Sequence, residues 1–298
     1  MKRFILAVSL LCSSALAHAD LKIFACEPEW GSLAQALGGD KVSVYNATTG
    51  LQDPHHIEGR PSLIAQVRNA DLLVCTGAEL EIGWLPILLQ KSGNAKVQEG
   101  QPGSFMAAQQ VQLLDIPVKV ERSDGDVHAD GNPHIQTDPR RIAQVAKALA
   151  ERMAQLDTAN AAHYQQGYTN FNTRWQQALQ GWANKAASLR STPVVVHHKS
   201  WVYLQDWLGL KEVATLEPKP GIPPTTAHLT NVLQQLQTTP AKFVLHSAYE
   251  NPRSAQWLSG KAGIPVVMLP STVGGTPAAT DLFTLFDDII QRLTSVQG

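Results

Sequence analysis

The chain has 298 residues, 44% hydrophobic and 16% charged, with 24 basic against 25 acidic side chains. At roughly 150 residues per domain this length suits two domains, with apolar residues enough for two cores. A balanced charge with no Lys/Arg block excludes a nucleic-acid binder, and apolar residues spread along the whole chain exclude disorder.

Residues 1–19 read as a cleavable signal peptide. Lys2 and Arg3 open it, Phe4 to Leu11 form an apolar run, and Ala17-His18-Ala19 is a small-x-small site before Asp20. Leu11 beside Cys12 fits a lipid-attachment site poorly, so export to the periplasm as a soluble protein is expected. Without Lys2 and Arg3, 22 basic side chains face the 25 acidic ones. No other segment approaches the roughly 18 apolar residues of a membrane span. Cys26 and Cys75 each end an apolar run, which places them at one edge of neighbouring parallel strands. In an oxidising compartment two readings stay open, a pair of buried thiols or a disulfide.

Beyond Asp20 the pattern alternates between strand and helix. Strands are predicted at 21–25, 41–47 and 70–75, with helices around 30–37, from Pro61 and across 80–89. Residues 140–156 have helical periodicity, and Asp157-Thr158 offers a cap for the next helix. That helix carries Tyr164, Tyr168, Phe171, Trp175, Leu179, Trp182 and Ala186 on one stripe, a core-packing pattern. It should run for about 30 residues, or about 45 Å. The alternation then restarts, with strands at 193–196, 212–216, 242–245 and 266–269 and helices at 201–208, 227–236, 252–262 and 279–294. The expected fold is α/β: two lobes, each a parallel sheet flanked by helices, joined by one long rigid helix. The expected division is an N-terminal lobe over 20–156, a linking helix over 157–190 and a C-terminal lobe over 191–298.

Three His-bearing segments fall in loops, where such sheets place their ligands. They are Asp53-Pro54-His55-His56, Gly131-Asn132-Pro133-His134 and His197-His198-Lys199-Ser200. Neutral imidazole is a ligand for Zn, Cu, Ni and Fe, and a few His converging from distant segments suit a tetrahedral zinc site.

DPHHIEGRPS (53–62), ADLLVCTGAELEIGWL (70–85), GNPHIQTDP (131–139) and VVVHHKSWVYLQDWLGL (194–210) resemble, in order and over nearly the whole mature chain, the motifs of zinc/manganese solute-binding proteins of ABC importers. The resemblance implies two lobes joined by a long helix, a bound metal ion and a membrane permease as partner. It also implies metal ligands at His55, the His after Asp-Pro; at His134, of Asn-Pro-His; and at His198, five residues before the aromatic Tyr203. His56 and His197 are then neighbours of ligands. Many family members supply an Asp after the last strand, but Leu269-Pro270-Ser271-Thr272-Val273-Gly274-Gly275 contains no carboxylate. Water, His128, Glu217 or His246 remain open as the fourth ligand. The family's acidic, His-rich loop has a short counterpart in Asp124, Asp126, His128 and Asp130. It reads either as a solvated turn or as a weak second site passing metal inward.

The expected function is a monomeric periplasmic receptor that captures Zn²⁺, with Mn²⁺ or another divalent transition metal as variants, and delivers it to an ABC permease. Three His with an open position is also the layout of catalytic zinc, so a secreted zinc hydrolase is the alternative. Against it, the chain contains no HExxH. A metal-storage or adhesin protein would require an anchor or several tight sites.

Overall fold

The computed structural model describes residues 20–120 and 125–296. The expected signal segment 1–19 and Asp124 lie outside the described residues. The first sheet contains β1 (Leu21–Ala25), β2 (Val42–Asn46), β3 (Leu72–Cys75) and β4 (Ser104–Met106) in the order β2-β1-β3-β4, all parallel. The second contains β5 (Pro193–Val196), β6 (Lys211–Thr215), β7 (Phe243–Ser247) and β8 (Val266–Leu269) in the order β6-β5-β7-β8, again all parallel. The two sheets therefore share one topology. In each, the chain turns to opposite sides after its first strand, which opens a crevice at the carboxyl ends of β1 and β3, and of β5 and β7.

Helices α1 (Pro28–Gly38), α2 (Pro61–Asn69), α3 (Leu85–Ser92) and α4 (Pro139–Leu156) accompany the first sheet. The second has α6 (Val202–Leu208), α7 (Thr226–Thr238), α8 (Arg253–Ala262) and α9 (Leu282–Ser295). Between them runs α5 (Ala161–Lys185), 25 residues and about 38 Å long. It is shorter than its apolar stripe suggested, because residues 158–160 and 187–189 are 3₁₀ turns at its two ends. Asp157 does not cap it; the carboxylate accepts from Tyr164 Oη at 2.7 Å and Asn160 Nδ2 at 2.8 Å. The start of α3 also falls later than periodicity placed it. Gly77, Ala78 and Glu79 all adopt positive φ (79°, 49° and 65°), so 77–84 forms a turn rather than helix.

Tyr164, Phe171, Trp175 and Trp182 of the α5 stripe are buried and Tyr168 and Leu179 partly so, with Trp175 stacked on Phe171 at 5.0 Å and edge-on to Phe283 of α9, also at 5.0 Å. The Trp175 indole donates to Pro139 O, and that of Trp182 to Asp287 Oδ1, each at 2.8 Å. Gly167 lets α5 approach α1 closely, since a Cβ there would lie 2.0 Å from Leu37 O. In place of two separate cores, one continuous apolar cluster runs from β1 through α4 and α5 to α9, with a smaller satellite beyond each sheet. The sheets are one-sided partners of a shared spine, so neither half buries its inner face alone.

Cys26 follows β1 and Cys75 ends β3, two strands whose register pairs Ala25 with Val74, and they are joined in a disulfide with Cα atoms 4.8 Å apart. That separation is the ordinary spacing of neighbouring strands and lies within disulfide range.

Candidate metal centre

His55 lies in the loop after β2. Asp53 Oδ1 accepts its backbone N–H at 3.0 Å and sits 2.8 Å from its Nδ1. The Trp84 indole holds the intervening Pro54 carbonyl at 2.8 Å. Burial would raise the Asp53 carboxyl, but the hydrogen bond and charge of His55 outweigh it and keep the pKa low. A carboxylate accepting from Nδ1–H leaves the Nε2 lone pair for a metal. His134 precedes a 3₁₀ turn, and Asn132 Oδ1 accepts its N–H at 3.0 Å. The same Asn132 donates through Nδ2 to Lys199 O at 2.8 Å, tying this loop to the residue after His198. His198 directly follows β5, and its Nδ1 lies 2.7 Å from Glu217 Oε2.

The three rings converge. Centroids of His55 and His134 are 5.3 Å apart, and each is 5.5 Å from that of His198. One nitrogen from each lies within 4.8 Å of the others, and all three residues are buried. His128 joins them, stacked on His55 at 5.4 Å, in a loop held by the Ala129 N–H donated to Glu79 Oε2 at 2.7 Å. Nε2 of His55, His128 and His134 are buried with no hydrogen-bond partner, an arrangement protein interiors rarely leave. Burial first, then the neighbouring His55 and His198, pushes His128 down to about 3 and His134 well below its ordinary value. These two rings therefore stay neutral, the form that binds a metal. For His198 burial acts downward, but the hydrogen bond and charge of Glu217 leave the pKa raised.

Of the predicted residues, His55, His134 and His198 are brought together, with His128 beside them. Glu217 is not at the centre; Oε2 is taken by His198 Nδ1 and by the Gly221 N–H at 2.8 Å. His246 is not there either. It sits within β7, with Nδ1 2.9 Å from Ser247 O, and makes no ring contact with the three. The acidic loop is split rather than clustered. The Asp126 N–H donates to Pro220 O at 2.8 Å, and its carboxylate lies 3.7 Å from exposed His56, while His128 turns inward and Asp130 points to solvent. Asp53, Glu79 and Asn132 were missed as supports. Asp53 and Asn132 shared a legible signal, a short polar side chain two residues before a His across a proline, whereas Glu79 had none.

The profile of the family described as zinc-uptake complex component A, periplasmic, matches residues 23–296. The chain belongs to that family. The manganese ABC transporter substrate-binding lipoprotein PsaA of Streptococcus pneumoniae is 22% identical over 88% of this chain and 83% of its own length. The high-affinity zinc uptake system protein ZnuA of Yersinia pestis is 20% identical over 79% of this chain and 78% of its own. A crystal structure of ZnuA superposes with a TM-score of 0.78 at 21% identity, covering 94% of this chain and all of that one, a likeness of fold. Family membership makes this chain a substrate-binding component of a metal ABC importer. The relatives are transport proteins and not enzymes, which sets the hydrolase alternative aside. Among the described residues no helix is long and apolar enough to cross a membrane.

The stretch without a carboxylate, 269–275, packs instead against the first half. Thr272 Oγ1 donates to Glu29 Oε2, and Gln136 Nε2 to Ser271 O at 3.4 Å. Glu29 belongs to a fully buried acid group with Glu27 and Glu81, the last accepting from the N–H of Thr76 at 2.7 Å and of Gly77 at 3.0 Å. Burial pushes Glu29 and Glu81 up to about 7, and it pushes Glu27 well up, aided by the charges of Glu81 and Glu29. Their folded pKa values exceed the unfolded value of 4.5, so the folded state holds extra protons. The stability they allow is complete below the unfolded pKa and is lost as pH rises through about 7. The depressed His128 and His134 act in the opposite sense only below about 6.5. Thermal melting of the metal-free chain should therefore fall as pH rises from about 6.5 through 7, where the imidazoles no longer oppose it, by on the order of 2–4 °C per pH unit for each proton lost. The share due to Glu29 and Glu81 should level off above about 7.5. Glu81→Gln should flatten that slope; an equally steep slope in the variant contradicts the assignment.

Proposed function

We propose that the chain captures Zn²⁺ in the periplasm after removal of residues 1–19 and delivers it to the importer's permease. His55, His134 and His198 act as ligands, and His128 fills the fourth position. The observation carrying this reading is the meeting of the buried imidazoles of His55, His134 and His198, with Nε2 of His55, His134 and neighbouring His128 left without a protein partner. Four nitrogen donors suit tetrahedral zinc, whereas Mn²⁺ prefers oxygen. The two named relatives divide between manganese and zinc, and the donor set here supports zinc.

The pH dependence follows from unequal protonation. His128 and His134 are neutral throughout the useful range, whereas Glu217 holds the His198 proton to higher pH, so that the metal competes with it over more of that range. Zinc affinity should fall as pH drops through neutrality, by about tenfold per pH unit for each proton displaced. Glu217→Gln should move the onset of that loss to lower pH. It should also weaken binding at pH 7.5 by about tenfold, as removal of a group orienting a ligand does. Competition titrations with Zn²⁺ and Mn²⁺ from pH 5 to 8 test both points; affinity flat across that range, or manganese preferred, overturns the reading.

A further inference from the structure

The two sheets place different chemistry at equivalent crevices. In the first, Cys26 follows β1, its N–H donates to Val74 O at 2.9 Å, and the disulfide to Cys75 closes the opening. In the second, His197 follows β5, its N–H donates to Leu245 O at 2.9 Å, and no covalent bond crosses to the β7 side. That side supplies Ser247 and Glu250. His197 Nδ1 lies 4.0 Å from Glu250 Oε2, too far for a hydrogen bond, and the two side chains are only 8% and 7% exposed. Glu250 Oε2 accepts the Ser247 N–H at 2.6 Å. His197 Nδ1, Glu250 Oε1 and Ser247 Oγ are all buried without a hydrogen-bond partner.

His197 and Glu250 line a cavity of about 580 Å³ that also reaches His55 and His198. Three further carboxylates border it, those of Asp53, Asp126 and Glu217, against one cation, Arg253. Such a concave, acid-lined opening concentrates cations. Metal–ligand bonds of about 2.0–2.2 Å on each side span the gap between His197 and Glu250.

We propose that His197 and Glu250, with Ser247 Oγ beside them, form a second, weaker subsite for a divalent cation, through which metal passes to and from the imidazole centre. This rests on that centre being the capture site. The test is equilibrium titration and rapid-mixing capture of chelator-buffered Zn²⁺ by the wild-type chain, His197→Ala and Glu250→Gln. Glu250→Gln preserves size and the bond to Ser247.

The wild type should show one tight equivalent and a second, weaker one. Both variants should keep the tight affinity within about twofold, as expected of separate sites, and lose the weaker event. At limiting zinc they should also fill the tight site about tenfold more slowly, the scale of lost electrostatic focusing. An unchanged second event and capture rate in both variants overturns the subsite alone. A loss of tight affinity as large as the loss of the second event overturns it too, because the pair would then be supporting His198. Absence of the tight equivalent from the wild type overturns the imidazole centre itself.

Discussion

His134→Ala is expected to weaken zinc binding by about two to three decades. Four-ligand zinc sites hold apparent free energies of about 10–16 kcal/mol, so one imidazole contributes about 2.5–4 kcal/mol, and each 1.4 kcal/mol is tenfold. His134 is the least exposed of the converging rings, at 2%, and Asn132 fixes its backbone. Neither Glu217 nor His246 can replace it: Glu217 is engaged by His198, and His246 lies within its own strand. His55→Ala and His198→Ala should behave alike, whereas His246→Ala should change affinity by less than about twofold, as a site outside the centre. His134→Gln keeps side-chain bulk and separates loss of a ligand from loss of packing. A competition titration in which both His134 variants hold zinc as tightly as the wild type would falsify the centre.

Breaking the Cys26–Cys75 bond should produce the largest loss of stability. The bond closes a loop of 49 residues, for which chain entropy alone gives about 4 kcal/mol. Both positions are fully buried between strands of the first sheet, so Cys26→Ala/Cys75→Ala keeps the apolar character while removing the link. The midpoint of thermal unfolding should fall by on the order of 10 °C. Reductant should lower the wild type toward the variant and leave the variant unmoved. Zinc affinity should change little, because the two cysteines lie outside the group of converging imidazoles. A double variant that melts with the wild type, with or without reductant, would exclude this role.

The two predictions probe levels of organisation that differed in legibility. The parallel sheets were readable because buried strands are short apolar runs punctuated by helical periods, and the spine because its aromatics recur every three or four residues. Elements failed where a distant group decides the backbone. The turn at 77–84 exists because Glu81 folds back on the amides of Thr76 and Gly77, which no local periodicity encodes. Strand β4 is three residues long, too short for an alternation to register.

For the site, the chain by itself determined which residue types were present, which His stand in loops after strands, and that 269–275 carries no carboxylate. Those are local properties, set by spacing and side-chain chemistry. Only the tertiary structure decided that His128 turns inward while Asp126 and Asp130 do not, and that Glu217 faces His198. It also turned 269–275 into a seam against Glu29. These outcomes depend on contacts between groups dozens to hundreds of residues apart. Such contacts are chosen by how the two halves pack along their common helix, and that packing leaves no periodic trace in the loops it brings together.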